Sequence, residues 1–141
     1  MLQLNLETGV QEISLNGKVS VFLNLTDIDF VERIFNAFDD MEQKQEKYQK
    51  MLDGQDDARV LFKTAREMDA EMRETINGLF GLDVCTPLFG TMNVYARADG
   101  LPLWVNLIMA IIEQMDDTVT AEKKKQNPKL QKYLAKLDKK K

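Results

Sequence analysis

Residues 78–90 read GLFGLDVCTPLFG, with Leu-Phe-Gly at 79–81 and again at 88–90. Between the copies lie Cys85, the single cysteine of the chain, and Pro87, one of three prolines. Gly78 and Gly81 permit backbone conformations that end a helix, and Leu79 and Phe80 are suited to anchor the turn in a core. Pro87 restricts Thr86 to extended geometry, Leu88 and Phe89 dock again, and Gly90 releases the chain. The stretch therefore predicts a structured helix-to-helix connector held by four apolar pins. No neighbour in sequence would activate a thiolate at Cys85, so it reads as a small buried hydrophobe.

Upstream, residues 56–77 predict one of the two helices. Leu61, Ala65, Met68, Met72, Ile76 and Leu79 share a face, charged residues fill the rest, and Gly78 ends it. Downstream, Pro102 suits the first turn of the other helix. Leu103, Trp104, Leu107, Ile108, Ile111, Ile112 and Met115 give that helix a broad apolar surface, which Val105 and Met109 carry almost around the cylinder before Asp116-Asp117 ends it. Such a helix is central, or is sandwiched between its own core and a second chain.

Further out, an earlier helix opens at Thr26, with Asp29 three residues on as a capping-box variant. Val31, Ile34, Phe35, Phe38 and Met41 follow helical spacing. Beyond Met41 the segment is polar nearly all round, with Tyr48, Met51 and Leu52 as a weaker stripe and Gly54 as the stop. That half either projects into solvent or lies against a partner. Residues 10–25 predict a β-hairpin about a type I′ turn at Asn16-Gly17. Ile13, Leu15, Val19, Val21 and Leu23 form its apolar face, and the alternating LQLNL at 2–6 offers a third strand. The expected architecture is α+β, mostly α, with an N-terminal hairpin or small antiparallel sheet packed on three main helices. Residues 1–121 form one domain and residues 122–141 a Lys-rich helix or tail in which Leu130, Leu134 and Leu137 mark a thin stripe and Tyr133 widens it.

Charge divides along the same line. Residues 122–141 carry nine lysines against two acids, and the body before them is net −11, within an overall −4. An acidic body repels a phosphate backbone, so nucleic acid is not an expected partner. The longest apolar run, LPLWVNLIMAII, has 12 residues, short of the ~20 of a membrane span. One cysteine and an N-terminus without a basic n-region point to a reducing cytoplasm. Histidine is absent, which removes Ser-His-Asp and Cys-His catalysis and His-ligated zinc. The adjacent pairs Asp39-Asp40, Asp56-Asp57 and Asp116-Asp117 point apart on a helix, and no phosphate-binding glycine motif occurs. No enzyme, cofactor or metal is expected from these residues.

The stretch MRETINGLFGLDVCTPLFG resembles the centre of small tail assembly chaperones encoded by siphophages and prophages of Gram-positive bacteria. In that family a helix ends in a pattern like I-x-x-L-F-G, a short loop with a small residue or Cys follows, and a second F-G pair precedes an apolar helix. The matching positions are Ile76, Leu79, Phe80, Gly81, Cys85, Leu88, Phe89 and Gly90, and the resemblance covers roughly residues 26–120. It implies a bacterial cytoplasmic protein that is not an enzyme. Such a protein self-associates and holds the long, apolar, helical tape-measure protein before tail tube subunits, a second possible partner, replace it. The expected partner-binding face combines Leu79, Phe80, Leu88 and Phe89 with the apolar helix around Trp104 and Ile108. Eight methionines, among them Met68, Met72, Met92, Met109 and Met115, supply soft surface for varied helices. The alternative expectation is a small structural tail or head–tail component retained in the virion.

Overall fold

A computed structural model describes residues 1–125 and residue 135. The Lys-rich stripe at Leu130, Tyr133, Leu134 and Leu137 lies outside the described residues. The fold is α+β and mostly helical. Two strands, β1 (Gln11–Leu15) and β2 (Val19–Leu23), precede the helices α1 (Ile28–Gly54), α2 (Ala58–Phe80) and α3 (Cys85–Phe89). A minimal hairpin, β3 (Arg97–Ala98) and β4 (Leu101–Pro102), then leads into α4 (Leu103–Lys124). The apolar helix of the sequence is α4, and it runs three residues past the expected boundary at 121.

The first hairpin forms for the reasons its sequence suggests, with one adjustment. Asn16 and Gly17 both take positive φ, 54° and 67°, and the Lys18 amide donates to Leu15 O at 3.0 Å, closing the turn. Pairing resumes at Leu15↔Val19, so Lys18 is one extra residue on the second strand. Without it Leu15 would face Lys18, and the apolar residues of β2 would turn to the opposite face. With it, Leu15 and Val21 are buried together, flanked by Ile13, Val19 and Leu23. The sheet has two strands, and residues 2–6 add none to it. Leu2, Leu4 and Leu6 stand exposed. The chain leaves that segment through Gly9, at φ 72°, and Asn24 Nδ2 donates to Thr8 O at 2.8 Å, tying the segment to the end of β2.

Helix α1 begins one residue later than expected. Asp27, not Thr26, is the cap, its carboxylate accepting from the Asp29 amide at 3.0 Å, while Thr26 bonds to Asn24 Oδ1. Phe30, Ile34 and Met41 are buried, but Phe35 is exposed. The polar second half of α1 packs on its own chain. Gln45 Oε1 accepts from Trp104 Nε1 at 2.8 Å, and Tyr48 stacks on Tyr95 with centroids 4.0 Å apart and planes 6° from parallel. Helices α1 and α2 form an antiparallel hairpin: the Thr75 hydroxyl donates to Asp40 at 3.4 Å, the two being nearly equidistant from the connecting loop.

Helix α2 is capped by Asp57 and runs through Gly78 to Phe80. The terminator is Gly81, at φ 76°. Gly78 lies inside the helix because Asn77, just before it, is engaged further along the chain. Its Oδ1 accepts from the amides of Val84 and Cys85 at 2.9 and 3.2 Å, which fixes the turn three residues later. The same bonds, with Asp83 Oδ1 accepting from the Thr86 amide at 3.1 Å, hold Thr86 in α3 instead of extended. Pro87 is tolerated there because its missing N–H falls in the first turn, where no intrahelical acceptor exists. We expect Gly81→Ala to lower stability by about 1 kcal/mol through its left-handed backbone. Gly78→Ala should raise it by about 0.5–1 kcal/mol through helix propensity. Urea unfolding of the two variants measures both.

Candidate functional site

The segment that joins α3 to β3 is held by Asp69 and Arg73, one helical turn apart on α2. Arg73 Nε donates to both Asp69 oxygens at 3.1 and 3.2 Å, and its Nη2 donates to Gly90 O and Met92 O at 2.8 and 2.6 Å. Asp69 Oδ1 also accepts from the Val94 amide at 2.8 Å. Val94 and Tyr95 are buried as a result, a segment that apolar periodicity in the sequence did not single out. The carbonyls of Ala96 and Val94 accept from the Leu103 and Trp104 amides at 2.7 and 3.2 Å. They cap α4, whose N-cap residue, Pro102, makes no side-chain cap bond. Between these ends, Asp99 and Gly100 take positive φ and turn β3 into β4.

This anchoring decides where the sequence-predicted site residues fall. Leu79, Phe80, Leu88, Trp104 and Ile108 all lie in one core cluster, with Phe89 half-buried against it. Trp104 and Ile108 are 1% and 0% exposed, covered by their own chain. Trp104 packs at 5.8 Å against the Phe38 ring in addition to its bond to Gln45. The two are therefore core residues and do not present the open face expected around them. Of the methionines, Met72 and Met115 are buried, whereas Met92 and Met109 reach the surface.

A second stripe of α4, centred about a quarter turn from Trp104, borders a groove, with Leu107 and Ile111 buried at its base and Asn106, Ala110 and Gln114 nearer the surface. Leu103, Asn106, Leu107, Ala110, Ile111 and Gln114 form the floor of a groove of about 410 Å³. Leu88 and Phe89 of α3 form one wall, and Ile13 to Leu15 of β1 with Asn16 of its turn form the other. Its interior is aliphatic and aromatic, its rim carries Ser14, Asn16, Asn106 and Gln114, and no titratable side chain lines it. The volume falls in the usual range of binding clefts, about 300–1,000 Å³. The groove thus brings Leu88 and Phe89 of the expected face together with a different part of α4. Its β1 wall was the part no local pattern in the sequence pointed to.

Titratable groups with displaced affinities lie elsewhere. Burial pushes the Cys85 thiol from its ordinary 9.0 up to about 12. Burial likewise raises the stacked phenols Tyr95 and Tyr48, with nearby acids adding to it. Hydrogen bonding by Thr86 holds the Asp83 carboxyl below its usual range. Among the described residues no group of three or more Cys, Asp or Glu side chains is placed to hold a metal ion. Nor is any helix among them long and apolar enough to cross a membrane. This chain matches no protein-family model, no curated protein and no solved structure.

The raised thiol and phenols keep their protons in the folded protein at pH values where the unfolded chain has lost them, so stability falls as pH rises. Stability should therefore decline above about pH 9, and Cys85→Ala should shallow the decline, by urea titrations at several pH values. At pH 8 a thiol reagent should label Cys85 only at the rate at which the fold opens.

Proposed function

We propose that this protein is a tail assembly chaperone that seats apolar helical segments of a tape-measure protein and performs no catalysis of its own. The groove between β1, α3 and α4 carries this reading. Its floor repeats at helical spacing along α4, at 103, 106, 107, 110, 111 and 114. A helix-in-groove partner needs such a surface, presenting side chains at i, i+3 or i+4, and i+7 to an apolar channel with a polar rim. A neutral interior imposes no charge requirement on the guest, which suits a carrier that meets many similar segments of one long helix. Met92 and Met109 are exposed outside the groove and add adaptable surface to the body. The repeated Leu-Phe-Gly stretch supports the same reading, because its second copy supplies Leu88 and Phe89 to the groove wall. Service in the bacterial cytoplasm and replacement by tube subunits belong to this proposal.

A second reading, a small structural component that stays in the particle, is favoured by the sheet. Among the described residues its two strands leave both outer edges without a partner strand, and Phe22 is exposed on its outer face. A neighbour's strand would add there.

Ala110 is exposed on the groove floor, so Ala110→Arg fills the channel without touching the core. Co-expressed with the tape-measure protein of the same tail, the wild type should co-purify with it and keep it soluble. The arginine variant should lose at least about tenfold of the recovered complex, the scale of one buried anchor at an interface, with stability within about 0.5 kcal/mol of wild type. Equal recovery of both proteins would refute the groove. Mass spectrometry of purified particles separates the two readings, since a chaperone is absent from them and a structural subunit is present in many copies.

A further inference from the structure

Among the described residues, one face of α1 has no covering element. Ile28, Glu32, Phe35, Asp39, Glu42 and Glu46 follow one another at spacings of three and four residues and form a single stripe turned away from buried Ile34 and Met41. Ile28 is 73% and Phe35 60% exposed. The four carboxylates take part in no ion pair or side-chain hydrogen bond among the described residues, although Asp40, beside them, pairs with Lys44 at 2.8 Å. The next cation along the stripe is Lys50, a turn beyond Glu46. Two large apolar side chains set among unpaired acids make a surface with a defined complement, a basic segment that also carries apolar side chains.

The chain contains that complement. Residues 126–141 hold six lysines against one acid, with Leu130, Tyr133, Leu134 and Leu137 interspersed. The described chain also ends in the right place. Lys123 and Lys125, at the end of α4, line one cleft with Asn24 and Thr26, the residues that lead directly into Ile28. The five peptide steps from Lys125 to Leu130 can reach at most about 17 Å. We infer that residues 129–141 dock on the α1 stripe of their own chain, with lysines on Glu32, Asp39 and Glu42 and the apolar side chains over Ile28 and Phe35. The inference is independent of the tape-measure reading. It joins the basic and acidic parts of the chain in one molecule and covers apolar surface that would otherwise meet water.

A nitroxide attached to Asp138→Cys in the full-length chain tests it, since buried Cys85 is inert to the label. In nitrogen-15-labelled protein at low salt, the amide signals of residues 28–46 should be broadened. Glu32→Lys, Asp39→Lys and Glu42→Lys together should reduce that broadening about five- to tenfold, the loss expected for three exposed ion pairs. Molar salt should do the same. Adding Lys132→Glu and Lys136→Glu to the triple variant should restore it, and the amide spectrum itself reports that each variant is folded. Broadening of another surface, broadening that survives the charge reversals, or no broadening would overturn the inference. So would broadening that appears when labelled nitrogen-14 chains are mixed with unlabelled nitrogen-15 chains, because the occupant would then be a second copy.

Discussion

The carboxylate of Asp69 holds the Arg73 guanidinium and the Val94 amide at the same time, and the rest of the fold hangs from that junction. Through it α2 grips the segment 90–94. Through the carbonyls of Val94 and Ala96 that segment caps α4, and the position of α4 sets both the core around Trp104 and the floor of the groove. The pair is partly shielded from solvent and its members bond to backbone groups as well as to each other. Charge-assisted bonds of this kind contribute about 1.5–3 kcal/mol each, well above an exposed surface pair. Removing either partner also strands the other among desolvated carbonyls and amides. A contact between two residues of one helix thereby fixes an element 30 residues downstream in the chain.

The parts of this arrangement that were legible in the sequence are those set by local rules. Asn16-Gly17 dictated a left-handed turn, the Leu61-to-Leu79 spacing dictated one face of α2, and the apolar run after Pro102 dictated α4. What was not legible depended on long-range partners. Gly78 and Gly81 are equally able to end a helix, and the choice is made by Asn77 reaching forward to Val84 and Cys85. Phe30 and Phe35 are both compatible with the period of α1, and only the packing of the fold buries the first and leaves the second in water. Asp69 and Arg73 looked like two more charges on a solvated face, because their acceptors and donors lie some 20 residues away. Asp99-Gly100 did carry a local turn signal, but the flanking strands of two residues each are too short to show an alternation.

The candidate site was half legible for the same reason. A helix apolar around most of its circumference must be covered on more than one side, and α4 is: one side by the core, the other by the walls of an open groove. Periodicity assigns residues to sides but does not say which side has a neighbour. Leu88 and Phe89 line that groove because the second Leu-Phe-Gly turns the chain back onto α4. Trp104 and Ile108, one face away, are enclosed by α1 and the capping segment.

The indole bonded to Gln45 is the only one in the chain. Its emission is thus a built-in optical gauge of the seam between α1 and α4. A guest seated in the groove touches the neighbouring stripe of α4 and leaves this seam closed, whereas any event that pries the helices apart lets water reach the ring and shifts its colour to the red. Ordinary fluorescence, with no dye and no engineered label, therefore distinguishes occupancy of the groove from opening of the body.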